Sequence, residues 1–267
     1  MVLSILIYCI SESIKKKEGF IMNETIKLLQ NHSSVRSFEN KQLTEEQINH
    51  IFNSANQTSS FSLLQAVSII RITDKEVRNK LMKLSGDQTY IGEAAEFWVF
   101  CSDFNRNHQI APEVDISYTE FLQIGAVDVG LMAQNALTAA ESMGLGGVYI
   151  GGIRLNIEEI SELLELPKYV IPLVGLCIGH PAEEKAPLKP RLPQEVVMHN
   201  NKYEDFDVED IKTYDEQMRA YYESRPITAP FTARKIKGWS DHIDDHLVRS
   251  IQPDMLNYLN KQGYAIK

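Results

Sequence analysis

Residues 121–152 constrain the fold of this chain more than any other stretch, and they read FLQIGAVDVGLMAQNALTAAESMGLGGVYIGG. Apolar residues recur there every three or four positions, which predicts a helix. These positions are Leu122, Ala126, Val129, Met132, Ala133, Ala136, Leu137 and Ala140. The opposite side is also poor in polar groups, since it carries Gly125, Val127, Gly130 and Leu131. A helix that is apolar nearly all round is typical of a buried element, so we expect a central, enclosed helix.

This helix is expected to end in a glycine-rich turn. Gly144 stands where a left-handed C-terminal cap is expected, and the GLGG run at 144–147 disfavours further helix. Residues 148–150, VYI, predict a short buried strand that ends in Gly151 and Gly152. Two glycines at a strand end leave the backbone bare, and a bare backbone suits a flat ligand lying against it.

The rest of the chain alternates between strand and helix patterns. Three more apolar runs predict strands, at residues 66–72, 97–101 and 173–179. Four residues are placed to cap the helices between them: Asn23, Thr44, Asp74 and Asn156. We therefore expect an α+β or α/β sandwich around a buried sheet of about four or five strands. The helical residues 194–267 are too few for a second domain, and we expect them to extend as an arm around another subunit.

Charge and cysteine spacing exclude several classes of protein. The net charge of −9 argues against nucleic acid as the main partner, because such binding needs a basic surface. Cys9, Cys101 and Cys177 lie far apart and fit neither a disulfide framework nor a structural zinc site. A reducing cytoplasm is the expected setting.

The first 21 residues are expected to lie outside the domain. The run MVLSILIYCI lacks a preceding basic region and a following small-residue cleavage site, so it does not fit a signal sequence. It is also too short to span a bilayer, and no membrane partner is expected. Since Met22 directly precedes a well-formed helix, we expect residues 1–21 to be either a non-native extension or a short arm, and residues 22–267 to form the domain.

The common sequence motifs of nucleotide-binding, hydrolytic and metal sites are absent or incomplete. No G-x-G-x-x-G follows a strand, and neither a Walker loop nor a G-x-S-x-G elbow occurs. His242 and His246 share one helix face, as in zinc hydrolases, but the glutamate of that motif is absent and no third ligand lies nearby. A solvated surface helix explains these histidines better, and we expect no metal.

Two short segments carry cations that could hold an anion. In the loop 32–36, HSSVR, a hydroxyl and a guanidinium two residues apart can converge on one phosphate. In Lys189-Pro190-Arg191 a proline stiffens the backbone between two cations. Each segment alone is also typical of a solvated loop. Together with the bare strand end, they would suit a phosphorylated planar cofactor.

At these residues the chain resembles the flavin-dependent nitroreductases, and within them the oxygen-insensitive NADPH nitroreductase A and NADPH-flavin oxidoreductase group. The likeness runs from about residue 22 to the C-terminus. It is carried by residues 32–36, 86–88, 94–106, 132–154, 173–183 and 188–193. The resemblance implies a homodimeric α+β sandwich with a central, mostly antiparallel sheet. Two FMN molecules would lie in the dimer interface, and the central helix would form much of that interface.

The resemblance also implies how the cationic segments bind FMN. His32, Ser34 and Arg36 would hold the FMN phosphate and the flavin edge. Lys189 and Arg191 would add positive charge at the phosphate and at the pyrimidine side of the ring.

Further residues would bind the ring itself. Gln88 would contact the flavin or its ribityl chain, and Ser60 would reach in from the partner subunit. The backbone of four consecutive residues would lie under the ring, with an amide near N5: Tyr149, Ile150, Gly151 and Gly152.

The implied activity is a ping-pong oxidoreduction. NADPH would pass a hydride to FMN N5, and the reduced flavin would then transfer two electrons to nitroaromatics, quinones or flavins. No residue would act as a dedicated catalytic acid or base, because the flavin carries the chemistry. Arg225 is our candidate contact for the phosphates of the nucleotide. Two alternatives stay open: a reductase that supplies free reduced FMN to another enzyme, and a non-catalytic FMN-binding protein.

Overall fold

The computed structural model describes residues 23–184, 187–224, 238–249 and 252–267. The chain divides into two units, residues 1–32 and residues 33–267. In the first unit the described part contains the helix α1, Glu24–Gln30. Its N-terminus is capped as the sequence predicted, because Asn23 Oδ1 accepts the backbone N–H of Ile26 at 3.0 Å. The extension at residues 1–21 lies outside the described residues.

The second unit is built on a four-stranded sheet. Its strands are β1 (Val67–Arg71), β2 (Glu96–Asp103), β3 (Gly146–Ile150) and β4 (Val170–Gly179). They lie in the order β1-β2-β4-β3, and every pairing is antiparallel. This confirms the predicted α+β class and antiparallel sheet. The strand bounds differ in detail. Strands β2 and β4 are longer than predicted, β1 is one residue shorter at each end, and β3 includes Gly146 and Gly147, which the sequence predicted to be part of a turn.

Helices flank this sheet along the described chain. In order they are α2 (Glu45–Asn56), α3 (Lys75–Leu84), α4 (Tyr90–Glu93), α5 (Asn105–Ile110), α6 (Thr119–Ser142), α7 (Ile157–Leu163), α8 (Gln194–Val197), α9 (Val208–Glu223), α10 (Trp239–Arg249) and α11 (Met255–Lys261). Short 3-10 turns cover Phe61–Leu63 and Gly151–Arg154. The extension of residues 194–267 around a second subunit remains a prediction.

Capping residues set several helix boundaries. Thr44 and Gln47 form the predicted capping box of α2, and Asp74 accepts two backbone N–H groups at the start of α3. The prediction for Asn156 is wrong in one respect. Its side chain makes no capping hydrogen bond, and its Nδ2 donates to the carbonyl of Leu84 at 2.7 Å.

Both faces of the sheet are covered. On one face, α2 and α6 pack against alternate residues of β2, including Trp98 and Phe100. On the other face, α3, α4 and α7 pack against Phe97, Val99 and Cys101. All eight residues of β2 are buried, as expected for a central strand between two layers.

A third cluster covers one end of the sheet. It joins β4, α7 and the first turns of α6 to α11 and the last residues of the chain. Here Tyr264 is fully buried, and its hydroxyl donates to the carbonyl of Tyr169 at 2.7 Å. The carbonyl of Lys267 accepts the backbone N–H of Thr119 at 3.1 Å, so the last residues also cap the start of α6.

The central helix is as long as predicted but less enclosed. Gly144 has φ +75°, which confirms the left-handed cap after α6. Ala133, Ala136 and Leu137 are buried against the sheet. In the single chain, however, Val127 is 61% exposed and Leu131 is 45% exposed. The prediction of burial on nearly all sides is therefore wrong for one chain.

No helix among the described residues has the length and apolar character needed to cross a membrane.

Candidate functional site

The end of β3 leads into the glycine turn that the sequence singled out. Ile150 is fully buried, Gly151 is exposed and Gly152 is partly buried. A Cβ on Gly152 would come within 2.3 Å of the Ser85 carbonyl oxygen and 2.5 Å of Gln88 Nε2, so another residue there would displace the loop that follows α3. Gly151 is thus exposed, whereas glycine at 152 permits close packing against Ser85 and Gln88. The place of both glycines under a flat ring remains a prediction.

The loop after α3 places Gln88 beside this turn. Gly86 and Asp87 both have positive φ, +87° and +53°, and they reverse the chain at the end of α3. Gln88 Nε2 donates to the carbonyl oxygen of Ser85 at 2.6 Å, and Gln88 Oε1 accepts from the hydroxyl of Tyr90. The side-chain amide is therefore held at both of its ends.

Arg36 lies beside the same network. Its guanidinium is near enough to the Tyr90 hydroxyl to favour the ionised form of that group. Burial raises the pKa of Tyr90, and the positive charge of Arg36 opposes that shift. The tyrosine therefore stays protonated at neutral pH and donates to Gln88. The structure thus brings together three predicted site residues, Arg36, Gln88 and Gly152.

The segment that carries Arg36 runs along the free edge of β3. Val35 N–H donates to the Gly147 carbonyl at 3.0 Å, and a Cβ on Gly146 would lie 2.4 Å from Val35 Cγ2. Ser34 and Arg36 flank Val35 and are both exposed, as the alternation of an extended chain requires. His32 belongs to the first unit, and its predicted role with Arg36 remains a prediction.

The second cationic segment packs against α9. Tyr214 donates its hydroxyl to the Pro190 carbonyl at 3.3 Å, and Arg191 Nη1 donates to the Lys189 carbonyl at 3.1 Å. Lys189 Nζ lies 5.7 Å from the centroid of the Tyr222 ring, within range of a cation–π contact. These contacts orient Lys189 and Arg191 relative to α9. Their convergence with Arg36 remains a prediction.

Beside this segment lies an open groove of about 540 Å³, lined by Arg191, Leu192, Gln194, Val197, Met198, Tyr214 and Trp239. The rings of Tyr214 and Trp239 meet edge to face at 5.8 Å and form one wall. A groove with aromatic and aliphatic walls and a cation at its rim can accept a flat, anionic molecule.

Ser60 lies in a segment beside α6. It immediately precedes the 3-10 turn Phe61–Leu63, and the backbone N–H of Phe61 donates to the carboxylate of Asp128 at 3.1 and 3.4 Å. Phe61 and Leu63 project outward and are 53% and 77% exposed. The described chain therefore places Ser60 close to the exposed face of α6.

Tyr149 is connected to that face as well. Its hydroxyl donates to Gln134 Oε1 at 3.2 Å, and burial raises its pKa far above the ordinary value. Gln134 lies one turn beyond Gly130 and Leu131, which are exposed together with Val127. The end of β3 and the exposed face of α6 are therefore adjacent parts of one surface.

Sequence reasoning did not single out two residues of these networks. Tyr90 lies two positions after Gln88, which was a usable local signal. Asp128 was hidden within an apolar helix, where an isolated carboxylate should itself have drawn attention.

The structure describes only part of what bears on the expectations for a metal site and for Arg225. Within the described part of the chain, no three His, Cys, Asp or Glu residues are grouped as a metal site would require. The side chain of His246 and the whole of Arg225 lie outside the described residues.

The residues described above are suited to binding a ligand. It combines cations, a fixed amide and open glycine backbone, and its described groups do not form a nucleophile paired with a base. Such a set can hold a phosphorylated planar molecule whose own ring carries out the reaction.

Comparisons with known proteins agree with the geometry. The nitroreductase family model matches residues 29–180, and the model of the family's C-terminal domain matches residues 189–267. The oxygen-insensitive NADPH nitroreductase of Salmonella typhimurium is 51% identical over 92% of this chain and 100% of its own length. The NADPH-flavin oxidoreductase of Vibrio harveyi is 46% identical over 91% of this chain and 99% of its own length.

A solved structure shows the same fold. It is that of the NADPH:FMN oxidoreductase from Vibrio harveyi in complex with NAD+, which is 44% identical to this chain. The two structures superimpose with a TM-score of 0.84 over 92% of this chain and 100% of the other. Sequence and structure together confirm the resemblance, and the chain belongs to the nitroreductase family.

Proposed function

We propose that this protein is an FMN-dependent oxidoreductase that takes electrons from NADPH and reduces nitroaromatics, quinones or flavins. The observation that carries the proposal is the Tyr90–Gln88 hydrogen bond, with the positive charge of Arg36 near Tyr90, beside the open glycine turn in a chain of the nitroreductase family. The names of the relatives, an NADPH nitroreductase and an NADPH-flavin oxidoreductase, support the same donor and the same class of reaction.

The residues present fit FMN. A phosphate needs cations and hydrogen-bond donors, and Arg36, Ser34, Lys189 and Arg191 are exposed and able to supply them. A flat ring needs a surface without projecting side chains, which the exposed Gly151 supplies.

When bound, FMN would supply the redox chemistry by taking up a hydride and passing two electrons to an acceptor. The chain's own residues would bind and orient. Arg36 would neutralise phosphate charge, and Gln88 would offer an amide whose direction is already set by Ser85 and Tyr90. His32 would contact the phosphate, and the backbone of Tyr149 and Ile150 would lie under the ring.

The active form would be a homodimer. Val127, Gly130 and Leu131 form an exposed apolar stripe on α6, and a Cβ on Gly130 would meet nothing within 4 Å. A second copy of the chain would cover this stripe and bring its own Ser60 to the FMN of the first. Residues 22–267 would act as one domain in that dimer, with residues 194–267 reaching across the partner.

Two further assignments complete the proposal. Arg225 would contact the nucleotide phosphates. A reducing cytoplasm remains the proposed setting, and the two cysteines that the structure describes, Cys101 and Cys177, are free thiols.

The test is the visible spectrum of the purified protein. We expect yellow protein that is bleached near 450 nm by NADPH under anaerobic conditions and recovers its colour on addition of a nitroaromatic. Comparing turnover on free FMN with turnover on a nitroaromatic and a quinone separates a nitroreductase from a supplier of reduced flavin. FMN binding without bleaching would point to a non-catalytic binding protein, and colourless protein that ignores added FMN would refute the proposal.

A further inference from the structure

Asp128 is a buried carboxylate in the middle of the central helix. It is 2% exposed, and its neighbours on α6 are Val127 and Val129. Removing a carboxylate from water is costly unless it accepts hydrogen bonds, and aspartate is rarely buried to this extent. The described donor is the backbone N–H of Phe61, 67 positions earlier in the chain, which lies 3.1 and 3.4 Å from the two carboxylate oxygens.

This hydrogen bond fixes the peptide group that joins Ser60 to Phe61. Because a peptide group is planar, holding the N–H of Phe61 also fixes the direction of the Ser60 carbonyl. That carbonyl accepts the N–H of Leu63 at 3.4 Å, so the same peptide is held on both sides. Ser60 itself is extended, with φ −132° and ψ 153°.

The following residues do not favour this conformation on their own. Ser62, Leu63 and Gln65 all have positive φ, at 46°, 59° and 50°, a region that residues with a Cβ rarely occupy. Strain of this kind persists only where surrounding contacts impose it, and it is concentrated at functional sites.

Side chains of α5 hold the far end of the same segment. Arg106 Nη2 donates to the carbonyls of Gln65 and Val67 at 3.0 Å each, and Asn107 Nδ2 donates to the carbonyl of Leu64 at 2.9 Å. The segment is thus clamped from two helices, while the side chains of Phe61 and Leu63 face outward. These hydrogen bonds hold the backbone around Ser60 in one conformation.

We propose that Asp128 is a positioning residue of the FMN site: its buried carboxylate holds the Phe61 backbone and thereby presents Ser60 to FMN. This inference rests on the proposed function, since only that function assigns Ser60 to FMN.

The test compares Asp128→Ala and Asp128→Asn with the wild-type protein. We expect D128A to remain a dimer and to bind FMN at least about tenfold more weakly, the low end of what a hydrogen bond to a charged acceptor contributes. D128N keeps a side-chain oxygen that can accept from Phe61 and should recover most of the affinity.

The matched control is Ser161→Ala. Ser161 is also buried, and its hydroxyl bonds the Ile157 carbonyl and the Tyr258 hydroxyl, both at 2.7 Å, in another part of the chain. We expect S161A to lose thermal stability and keep wild-type FMN affinity. The inference is overturned if D128A binds FMN as tightly as the wild type, or if S161A weakens binding equally.

Hydrogen exchange of the wild-type protein provides a second measurement that does not depend on variant folding. Addition of FMN should slow amide exchange in residues 58–65, and unchanged exchange there would overturn the inference. A wild-type protein that neither binds FMN nor dimerises would instead overturn the proposed function, and this inference with it.

Discussion

Glu96 offers a quantitative test of how burial decides the strength of an ion pair in this fold. Its carboxylate accepts Arg71 Nε at 2.7 Å, Arg71 Nη2 at 2.8 Å and Trp98 Nε1 at 2.8 Å. The geometry follows from the sheet, because Arg71 lies opposite Trp98 across the β1–β2 pairing and Glu96 shares the face of Trp98. The Glu96 side chain is 7% exposed, whereas that of Arg71 is 37% exposed.

The cost of Glu96→Ala can be worked from these partners. Trp98 is 2% exposed, so its indole N–H would stay buried without an acceptor, at about 1–3 kcal/mol. The loss of charged hydrogen bonds to Arg71 adds to this, but Arg71 can turn towards water and towards Glu45, 3.8 Å away. We therefore expect a total loss of about 3 kcal/mol, at the lower end of the range for breaking a buried pair. Glu96→Gln keeps one oxygen for Trp98 and should lose less.

The assay is urea unfolding followed by far-ultraviolet circular dichroism, at fixed protein and FMN concentrations because ligand binding and dimerisation shift apparent stability. The control is Glu158→Ala. Glu158 pairs with Lys261 at the same 2.7 Å, but the two side chains are 49% and 67% exposed. We expect E158A to unfold at nearly the wild-type urea concentration, as exposed pairs contribute little. Equal destabilisation by E96A and E158A would refute the reasoning from burial.

Three further predictions concern the site, the dimer and pH. Arg36→Ala should weaken FMN binding by about tenfold or more, as measured by quenching of flavin fluorescence. Lys41→Ala removes another exposed charge from the same region and should leave FMN affinity unchanged. Equal effects of the two variants would show that only net charge matters. Leu131→Glu should give a monomer in analytical ultracentrifugation, because a carboxylate on the apolar stripe of α6 could not be buried against a second copy. Burial raises the pKa of Cys101 from 9.0 to about 12, so the folded state favours the neutral thiol. The contribution of this preference to the free energy of unfolding is fully present below pH 9. It is lost as the pH rises towards 12, because the thiol of the unfolded chain ionises first. Urea midpoints should fall above pH 9, less steeply in Cys101→Ala, where Cys177 still contributes in the same direction.

Local signals predicted much of this fold. The capping box at Thr44 and the glycine at 144 set helix ends through hydrogen bonds within a few residues, so the sequence pattern was sufficient. The strands were predicted in the right places and somewhat too short at β2, β3 and β4. Continuous apolar residues mark a strand covered on both faces, whereas the polar ends of β2, Glu96 and Asp103, are buried only because partners from elsewhere satisfy them.

Contacts between distant parts of the chain were the ones that could not be predicted. Asn156 has the residue type of a cap, yet its side chain bonds Leu84, 72 positions away. At Gly152 the sequence indicated only a bare backbone. The Ser85 carbonyl that packs against this glycine comes from another segment and is not visible in the local pattern. A residue's type gives its possible interactions, and tertiary structure decides which of them forms.

The central helix shows why the candidate site is assembled where it is. With 3.6 residues per turn, Ala133 and Leu137 face the sheet, while Leu131 and its neighbours face outward. Asp128 lies between these two faces, where it can be buried and still reach the segment of Ser60. Gln134, on the outward face, reaches the hydroxyl of Tyr149 at the end of β3. One helix therefore contacts the sheet, the Ser60 segment and the proposed dimer partner through different faces. A substitution on one face of α6 should disturb mainly the part of the structure that this face contacts.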